Sequence, residues 1–493
     1  MAPQLLAIVK HDCPVCVQLL PALDRAAASG APVRILSQST QEETAALAAR
    51  LELSAVPDID TDLEISARFD PDAVPTVLLL DGKGEEGRVE GLDTAALTAL
   101  ADRAGVRLDL DGLPAHRPGC ASLTRDPAVA PRLAARRARA EGRITSRVLS
   151  VGAHEDVQEA LWERGLTDGL PVVPPTPERV VAVLEGTSHD PQEVVGVLPP
   201  YAGTATVEKV AINAVMAGCT PPMLPVVLAA VEAVCDETFA MHGLLATTHP
   251  GGPVIVVSGP LAARVGMNSR GNVLGQGNRA NLAIGRALQL CVRNIGGGRP
   301  GEEDRAAHGQ MGKLAACFAE RIDDSPFEPL SLDRGFSAGD TTVTLFAGEA
   351  PRIIIDQQSR DPESLCRSFA SALQNVAHPK LCWAFDAMLI VGPEHGHVFR
   401  EHGWTRAMVR ERVHSLAARP AREMVSGADG ITEGMPAAFG NDGDAMLTKL
   451  VSADRLIVVH AGGDAGLFSM LTGAWVSGEM GSTPVTRRVD AWT

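Results

Sequence analysis

The chain has 493 residues, of which 45% are hydrophobic and 21% charged, and its formal charge is −16 at pH 7. This length exceeds what one ordinary hydrophobic core accommodates, so two or three domains are expected. The excess of negative charge argues against nucleic acid or an anionic membrane as the main partner.

The N-terminal residues, MAPQLLAIVKHDC, lack the basic region, long apolar core and small-residue cleavage site of a signal peptide. The most apolar helix-length run, MLPVVLAAVEAVC, is shorter than a membrane span and contains Glu232. These features predict a cytoplasmic protein with no membrane partner. The nine cysteines are an odd number spread over the whole chain, so most are expected to be free thiols.

Residues 1–105 show strand and helix patterns in the order βαβαββα. The apolar runs LLAIV and PVRIL predict strands, and each is followed by a helical pattern, the first of which ends at Gly30. The runs TVLLL and GRVEG predict a hairpin, because the Asp-Gly between them supplies the positive φ that such a turn needs. DTAALTALADRAG then predicts a closing helix with Asp93 as its cap.

Cys13 and Cys16 lie at the predicted start of the first helix. The partial positive charge of a helix N-terminus favours the thiolate of Cys13 and lowers its pKa. Cys16 then lies one turn further, close enough to attack a mixed disulfide. A zinc site is the alternative for a single CxxC, but the sequence contains no second CxxC and no Cys/His pair with zinc-finger spacing.

The strand that ends in HDCPVC, the helix after it, and AVPT before a strand-turn-strand resemble the thioredoxin/glutaredoxin family over about residues 4–104. The resemblance implies Cys13 as the attacking thiol, Cys16 as the resolving thiol, a redox-active disulfide between them, and Pro75 as a cis proline facing the pair. The family's tryptophan before the first cysteine is replaced by His11-Asp12, and SAVPDIDTDLEISARFD is an acidic insertion. A dedicated internal partner is therefore expected, with an external thiol or reductase as electron donor.

Residues 106–150 are rich in proline, alanine and arginine, and are predicted to be a linker or a bridging helix. Cys120, in RPGCASL, lies in this stretch. We expect it in a flexible segment, where its thiol would carry electrons between the redox domain and the rest of the chain. An ordinary exposed linker cysteine is the alternative.

Residues 151–493 are predicted to form one large glycine-rich α/β domain, catalytic or binding, in one or two lobes. Three segments share the plan of a buried strand, a glycine-containing turn and a helix: GGPVIVVSGPLAARVG, DAMLIVGPEHGHVFREHG and DRLIVVHAGGDAGLFSML. Apolar strands that alternate with helices predict a mostly parallel sheet covered on both faces. A ligand site is expected at the carboxyl ends of these strands.

Cys219 lies in Gly218-Cys219-Thr220-Pro221-Pro222, which separates two helical patterns because the prolines end one helix and open the next. A position near a helix N-terminus makes Cys219 a candidate reactive thiol, with a structural cysteine as the alternative. The other cysteines of this region lie in apolar or helical runs and are predicted to be buried: Cys235, Cys291, Cys317, Cys366 and Cys382.

The segment GMNSRGNVLGQGNRANLAIGRALQLC joins a glycine-rich loop to a predicted helix. Free N–H groups at the helix start, together with arginine side chains, predict a binding loop for a small carboxylate or phosphate substrate. A purely structural connection is the alternative. No Lys-Ser/Thr follows the glycines as in a P-loop, and GQGNRA only approximates a dinucleotide motif. The residues expected to contact the substrate are Asn268, Arg270, Asn272, Arg279 and Asn281.

Histidines form the last set of candidates. His242 and His249 bracket GLLATT, and His395 and His397 lie in GPEHGHVF after a strand. Such residues bind metals or act as acid and base, but no third ligand is fixed, so they are weak metal candidates and no cofactor is predicted. Other polar residues beside glycines are His308, His460, Glu394 and Asp464.

Three further segments together resemble an uncharacterised bacterial family associated with selenoprotein-type redox proteins: NAVMAGCTPPMLPVVLAAVEAV, LLATTHPGGPVIVVSGP and GNRANLAIGRALQLCVRNIGGGRPG. The resemblance covers most of residues 155–490 and implies no catalytic residues. The combined expectation is a thiol-dependent oxidoreductase, in which the CxxC domain re-reduces a thiol such as Cys219, or an oxidised product, in the large domain. Alternatives are a metal-dependent lyase or hydrolase with an accessory thioredoxin-like domain, and a non-enzymatic, redox-regulated interaction protein. A homo-oligomer is compatible with each of these.

Overall fold

The computed structural model describes residues 3–379, 381–423, 443–479 and 481–493. It divides the chain into two compact units, Met1–Ala140 and Glu141–Thr493. None of the helices in the described ranges has the length and apolar character needed to cross a bilayer.

A five-stranded mixed sheet with helices around it forms the first unit. The strands are β1 (Gln4–Val9), β2 (Val33–Ser37), β3 (Asp58–Ile59), β4 (Ala73–Val74), β5 (Thr76–Leu80), β6 (Glu85–Glu90), β7 (Leu92–Asp93), β8 (His116–Arg117) and β9 (Cys120–Ala121). The helices are α1 (Pro14–Ala28), α2 (Gln41–Arg50), α3 (Glu64–Phe69), α4 (Thr94–Arg103) and α5 (Ala130–Ala140). The main sheet has the order β3-β2-β1-β5-β6, with β1 parallel to β2 and antiparallel to β5. This is a thioredoxin-like arrangement.

Local signals explain why the strands and helices predicted over residues 4–104 are confirmed. Thr40 and Glu43 form a reciprocal capping box at the start of α2, and the Asp93 carboxylate accepts the backbone N–H of Ala96 at the start of α4. The apolar residues of β1 and α1 pack into one core, in which Leu5, Ile8, Leu19 and Leu23 are fully buried and which includes Cys13 and Cys16. The acidic insertion adds β3 to the edge of the sheet, parallel to β2.

The stretch predicted to be a linker differs from expectation, because residues 106–140 belong to the first unit. Strand β8 pairs with β7, and β9 pairs with β4, both antiparallel. Arg136 and Arg137 on α5 donate to the backbone carbonyls of Asp62 and Ala67 in the acidic insertion. A two-residue strand has no periodicity, so the sequence pattern could not reveal these pairings.

The second unit combines a large mixed sheet with many helices. Its strands are β10 (Val194–Leu198), β11 (Gly203–Thr206), β12 (Gly252–Ser258), β13 (Cys317–Ala319), β14 (Thr342–Gly348), β15 (Arg352–Ile355), β16 (Phe385–Val391), β17 (Arg419–Pro420), β18 (Met446–Leu447), β19 (Leu456–His460), β20 (Phe468–Val476) and β21 (Val485–Arg488). Its helices are α6 (Val157–Glu163), α7 (Pro177–Leu184), α8 (Val207–Ala217), α9 (Leu224–Val234), α10 (Met241–Ala246), α11 (Pro260–Arg264), α12 (Arg279–Asn294), α13 (Gly312–Ala315), α14 (Leu330–Asp333), α15 (Pro362–Gln374), α16 (Pro393–Glu401) and α17 (Arg406–Leu416).

The prediction of a mostly parallel sheet is wrong. The order is β13-β12-β14-β20-β16-β19, with β15 on β20 and β21 on β14. Only the β12–β13 and β16–β19 pairs are parallel among these described strands; the other pairs are antiparallel. Every residue of β12, β14 and β16 is buried. An antiparallel strand that is buried on both faces has the same continuous apolar run as a parallel one, which explains the error.

The plan expected for three segments holds for two of them. Strand β12 runs into α11, and β16 runs into α16, across Gly259 and Gly392. After β19, however, the residues FSML begin strand β20 instead of a helix. Strand β20 lies between β14 and β16, so it fills the centre of the sheet.

Candidate active site

Cys13 occupies the N-cap of α1, and its sulfur accepts the backbone N–H of Cys16 at 3.3 Å. In its thiol form it donates to the carbonyl oxygen of Val74, also at 3.3 Å. The hydrogen bond from the Cys16 thiol is the main cause that lowers the pKa of Cys13 to about 5, with smaller help from backbone N–H groups and against the effect of burial. Cys13 is therefore a thiolate at neutral pH, although its side chain is completely buried.

Cys16 lies one turn into α1 and has the opposite electrostatic environment. Burial raises its pKa well above the usual range, and the neighbouring Cys13 raises it further. Its sulfur accepts the backbone N–H of Lys10 at 3.4 Å, and its side chain is also completely buried. The two cysteines thus have opposite environments: that of Cys13 favours the reactive thiolate, and that of Cys16 favours the protonated thiol.

The loop opposite the cysteine pair begins at β4. The Val74–Pro75 peptide bond is cis, and the hydroxyl of Thr76 donates to the carbonyl of Ala73 at 2.5 Å. This loop presents the Val74 carbonyl to Cys13. Pro75 therefore lies at the position that the family resemblance implies for it.

Cys120 lies in this site, whereas the sequence placed it in a flexible linker. It is paired with Val74 across the two-residue ladder of β4 and β9. Cys120 contributes to the lowering of the Cys13 pKa, and its partner Val74 is the residue whose carbonyl accepts from the Cys13 thiol. Burial raises the pKa of Cys120, and the adjacent Cys13 raises it further. The structure thus brings together three sulfurs, of which sequence reasoning had grouped only Cys13 and Cys16.

Two residues that sequence reasoning missed hold the segment around Cys120. The Gln38 amide donates to the hydroxyl of Ser122 at 2.8 Å and accepts the backbone N–H of Leu123 at 2.9 Å. The Lys10 ammonium donates to the carbonyl of Ala121 at 3.3 Å. Gln38 follows β2 directly, and a polar residue just after an apolar strand is the one signal that marks it.

Cys219 lies in the second unit and does not have the environment predicted for it. Its backbone N–H closes the C-terminal turn of α8 by donating to Ala214, and Cys219 lies one residue before Thr220, the N-cap of the short helix Pro221–Met223. Burial raises its pKa to about 12, and Arg279 opposes this only weakly. A neutral, buried thiol is a poor nucleophile, and Cys219 is better described as a structural cysteine. Of the others, Cys291, Cys317, Cys366 and Cys382 are buried as predicted, and Cys235 is partly exposed.

The polar side chains of the glycine-rich loop bond mainly to the loop itself. Asn281 accepts the backbone N–H of Asn268 at 2.9 Å and donates to its carbonyl at 2.8 Å. Asn272 donates to Gln276, and Arg279 donates to the carbonyl of Gly218. These bonds favour the structural alternative for the loop. Arg270 differs from the others and points to acidic groups: its guanidinium lies 3.6 Å from Asp323 and 3.9 Å from Asp464.

A cavity of about 380 Å³ opens at the carboxyl ends of β16 and β19, in the place where a ligand site is expected. The backbone N–H of Gly462 donates to Ser269 at 3.0 Å, so the loop after β19 packs against the glycine-rich loop. Charged residues from several elements line this cavity, among them Arg321, Arg360, Arg400, Glu394, His397 and Asp464. Three of the polar residues singled out in the sequence therefore meet here: Glu394, His397 and Asp464.

The four weak metal candidates do not converge. His395 is completely buried, with Nδ1 2.7 Å from the hydroxyl of Ser469 and Nε2 3.0 Å from the carbonyl of Asp356. His397 lies 3.0 Å from Glu401 on the exposed side of the same helix. His249 accepts a backbone N–H from Gly251, and His242 lines a different cavity. In the part of the chain that the structure describes, no three His, Cys, Asp or Glu side chains are grouped as metal ligands would be.

Comparison with solved structures gives similarities that cover about a fifth of the chain in the three cases described here. No protein-family model matches the chain, and a search of curated proteins gave no match. The chain is similar to a secreted disulfide oxidoreductase of Mycobacterium tuberculosis that is homologous to E. coli DsbE, with 22% identity, coverage of 21% of this chain and 81% of that chain, and a TM-score of 0.18. StoA from Bacillus subtilis has 18% identity, coverage of 20% and 81%, and a TM-score of 0.18. DsbF of M. tuberculosis has 20% identity, coverage of 21% and 80%, and a TM-score of 0.19.

Proposed function

We propose that the first unit is a thiol–disulfide exchange centre in which Cys13 is the nucleophile and Cys16 the resolving thiol. The opposed environments of the two sulfurs carry this proposal. The pKa of Cys13 is lowered to about 5 at the N-cap of α1, whereas burial raises that of Cys16. The thiolate is the reactive form in exchange, so of these two thiols it is Cys13 that is poised to attack at neutral pH.

The reaction transfers two electrons from the cysteine pair to a disulfide. The Cys13 thiolate attacks one sulfur of the disulfide, a Cys13 mixed disulfide forms, and the other sulfur leaves as a thiolate that takes up a proton. Cys16 then loses its proton and attacks Cys13, which releases the second thiol and leaves the Cys13–Cys16 disulfide. An external dithiol restores both thiols by the reverse exchange.

The test uses the full-length, pre-reduced protein with oxidised glutathione as the disulfide and dithiothreitol as the donor. We expect Cys13→Ser to show no turnover above the uncatalysed reaction of dithiothreitol with oxidised glutathione, and Cys16→Ser, without dithiothreitol, to stop after one equivalent of oxidised glutathione has reacted. Cys235→Ser is the matched control, because Cys235 is a partly exposed cysteine of the second unit. Turnover by Cys13→Ser at the wild-type rate would refute the proposal.

For the second unit, we infer that the cavity beside β16 and β19 binds a small anion. Arg360 and Arg400 line it, and within the described residues neither guanidinium has a carboxylate at ion-pair distance; Arg360 bonds only to the carbonyls of Gln357 and Ser359. Arg321, in contrast, is already bound by Asp324 and Asp464. Guanidinium groups that line a cavity and have no carboxylate at ion-pair distance suit a carboxylate or phosphate ligand.

This inference is tested by calorimetric titration of the full-length protein with inorganic phosphate and with succinate. Arg360→Gln and Arg400→Gln are each expected to weaken binding about tenfold or more, since each removes a charge-assisted hydrogen bond. Arg367→Gln is the control, because Arg367 is exposed and paired with Glu363. Equal affinities in all variants, or no heat with either anion, would exclude an anion site here.

A further inference from the structure

Strand β9 of the same chain covers the sulfur of Cys13, the proposed nucleophile. Cys13 and Cys16 are both fully buried. Strand β9 lies against β4, and a Cβ added to Gly119 would be 2.7 Å from the carbonyl oxygen of Val74. Any larger residue there would push the segment away, so the close approach depends on glycine. An external disulfide therefore meets β9 before it meets Cys13.

The covering segment is anchored on both sides of Cys120. Before it, Arg117 pairs with Leu92 in the β7–β8 ladder and donates to the Gln18 amide oxygen at 3.1 Å. After it, Lys10 holds the carbonyl of Ala121, and Gln38 holds Ser122. These contacts hold Cys120 beside Cys13, so Cys120 does not lie in a flexible segment.

The three sulfurs differ in their access to solvent. Cys120 is partly exposed, whereas Cys13 and Cys16 are buried. Cys13 is close to both of the others: its sulfur accepts the backbone N–H of Cys16 at 3.3 Å, and as a thiol it donates to the carbonyl of Val74, the residue that pairs with Cys120. Cys120 is thus the sulfur of the three that solvent reaches.

We propose that Cys120 is the third thiol of this exchange centre, through which external disulfides react with the buried pair by way of a Cys13–Cys120 disulfide. This rests on the proposed function of Cys13 and Cys16. The pairing of β9 is like strand addition, in which a peptide pairs its main chain with the edge of a sheet and so presents one of its side chains to a pocket. Here the added strand belongs to the same chain.

The steps balance with an external disulfide R–S–S–R′ as the only oxidant. Cys120 loses its proton to solvent and attacks the disulfide, which gives Cys120–S–S–R and an R′S⁻ that is protonated from solvent. Cys13 then attacks the Cys120 sulfur, so that the Cys13–Cys120 bond forms and RS⁻ leaves. Cys16, as its proton goes to RS⁻, attacks Cys13, which forms the Cys13–Cys16 disulfide, and the Cys120 thiolate released is protonated from solvent.

The first experiment traps the intermediate. Pre-reduced, full-length Cys16→Ser protein is treated with oxidised glutathione, quenched in acid and mapped by mass spectrometry. We expect a linked pair of peptides that contain Cys13 and Cys120, with the loss of two hydrogens. A Cys13–glutathione adduct without any Cys13–Cys120 link would overturn the proposal.

The second experiment measures the rate at which pre-reduced protein reduces oxidised glutathione. Cys120→Ser is expected to react at least tenfold more slowly than wild type, and Cys235→Ser at the wild-type rate. An unchanged or faster rate for Cys120→Ser would show that the segment is only a cover, and would overturn the proposal. If Cys13→Ser also keeps its rate, the proposed function fails as well; if only Cys120 is dispensable, the proposed function stands alone. The trapping experiment keeps Cys120 intact, so it decides the question even if Cys120→Ser does not fold.

Discussion

A single cap position decides the chemistry of the cysteine pair. Cys13 closes the first turn of α1, and Pro14 after it has no N–H to satisfy, so the backbone N–H of Cys16 points at the sulfur. The sequence predicts this much, since CxxC before a helical pattern places the first thiol at the helix start. It cannot predict the position of Cys120, which lies more than a hundred residues further along the chain and is placed here by the pairing of β9 with β4.

The lowered pKa of Cys13 predicts a pH dependence of stability. The folded state favours the thiolate, so the stabilisation is complete above about pH 9, the usual thiol value, and is lost as the pH falls towards 5. We therefore expect the free energy of unfolding of wild type, relative to that of Cys13→Ser, to decrease as the pH is lowered from about 9 to about 5. Denaturant unfolding at a series of pH values measures it, and a pH-independent difference would contradict the prediction.

At the scale of elements, capped and periodic segments were predictable and short pairings were not. Helices α2 and α4 carry their caps in the sequence, at Thr40 and Asp93. Strands β8 and β9 have two residues each, and only their partners define them. The loop before α12 was interpreted as a ligand site because free N–H groups at a helix start and arginine side chains suit an anion, but its asparagines satisfy the loop's own backbone. Composition alone does not distinguish these two uses.

The fit between β9 and β4 can be tested at Gly119. In Gly119→Ala the new methyl group would lie 2.7 Å from the Val74 oxygen and 2.9 Å from the Ala73 Cβ, so the ladder must shift. We expect a loss of about 1–3 kcal/mol of stability, as for other overpacked sites, and slower formation of the Cys13–Cys120 disulfide.

The control for this substitution is Gly152→Ala. A Cβ there meets only the flexible Glu155 side chain, at 3.4 Å, and its φ is one that alanine adopts. Thermal unfolding and the rate of disulfide formation should both match wild type in the control. A Gly119→Ala protein with unchanged values would mean that β9 does not need its close approach to β4.

On the scale of the whole molecule, sequence reasoning found two α/β regions but predicted the wrong strand directions for the second. Fully buried runs such as those of β12 and β16 indicate a sheet covered on both faces, whatever the direction of the strands. Direction depends on the connections. Strands β14 and β20 enter the centre of the sheet antiparallel to their neighbours, and no local pattern encodes this.

A buried ion pair joins distant parts of the second unit. Glu320, just after β13, bonds to Arg406 on α17 at 3.0 Å, to the backbone of Leu330 at 2.7 Å, and to the hydroxyl of Ser258 on β12. Both charged side chains are almost wholly buried. Arg406→Met should therefore cost about 3–5 kcal/mol of stability, because it leaves a buried carboxylate without its counter-ion.

The matched comparison is the exposed pair of Arg412 and Glu363. Arg412→Met is expected to cost about 1 kcal/mol or less. Adding Glu320→Leu to Arg406→Met should recover part of the loss, since the unpaired charge is then removed. Chemical denaturation of the four proteins gives these differences, and equal losses at the buried and exposed pairs would contradict the account.

Because β9 is tethered beside Cys13, the size of a disulfide affects how easily it reaches the exchange centre. A strand joined to its docking edge by a short piece of chain is present there at an effective concentration of about millimolar or above. An extended polypeptide that needs the Val74 edge must displace β9, with its anchors at Arg117 and Gln38, whereas a small disulfide needs only the partly exposed sulfur of Cys120. In the proposed exchange reaction, β9 would compete with an extended polypeptide for the Val74 edge, and a small disulfide would react faster than one carried by an extended chain.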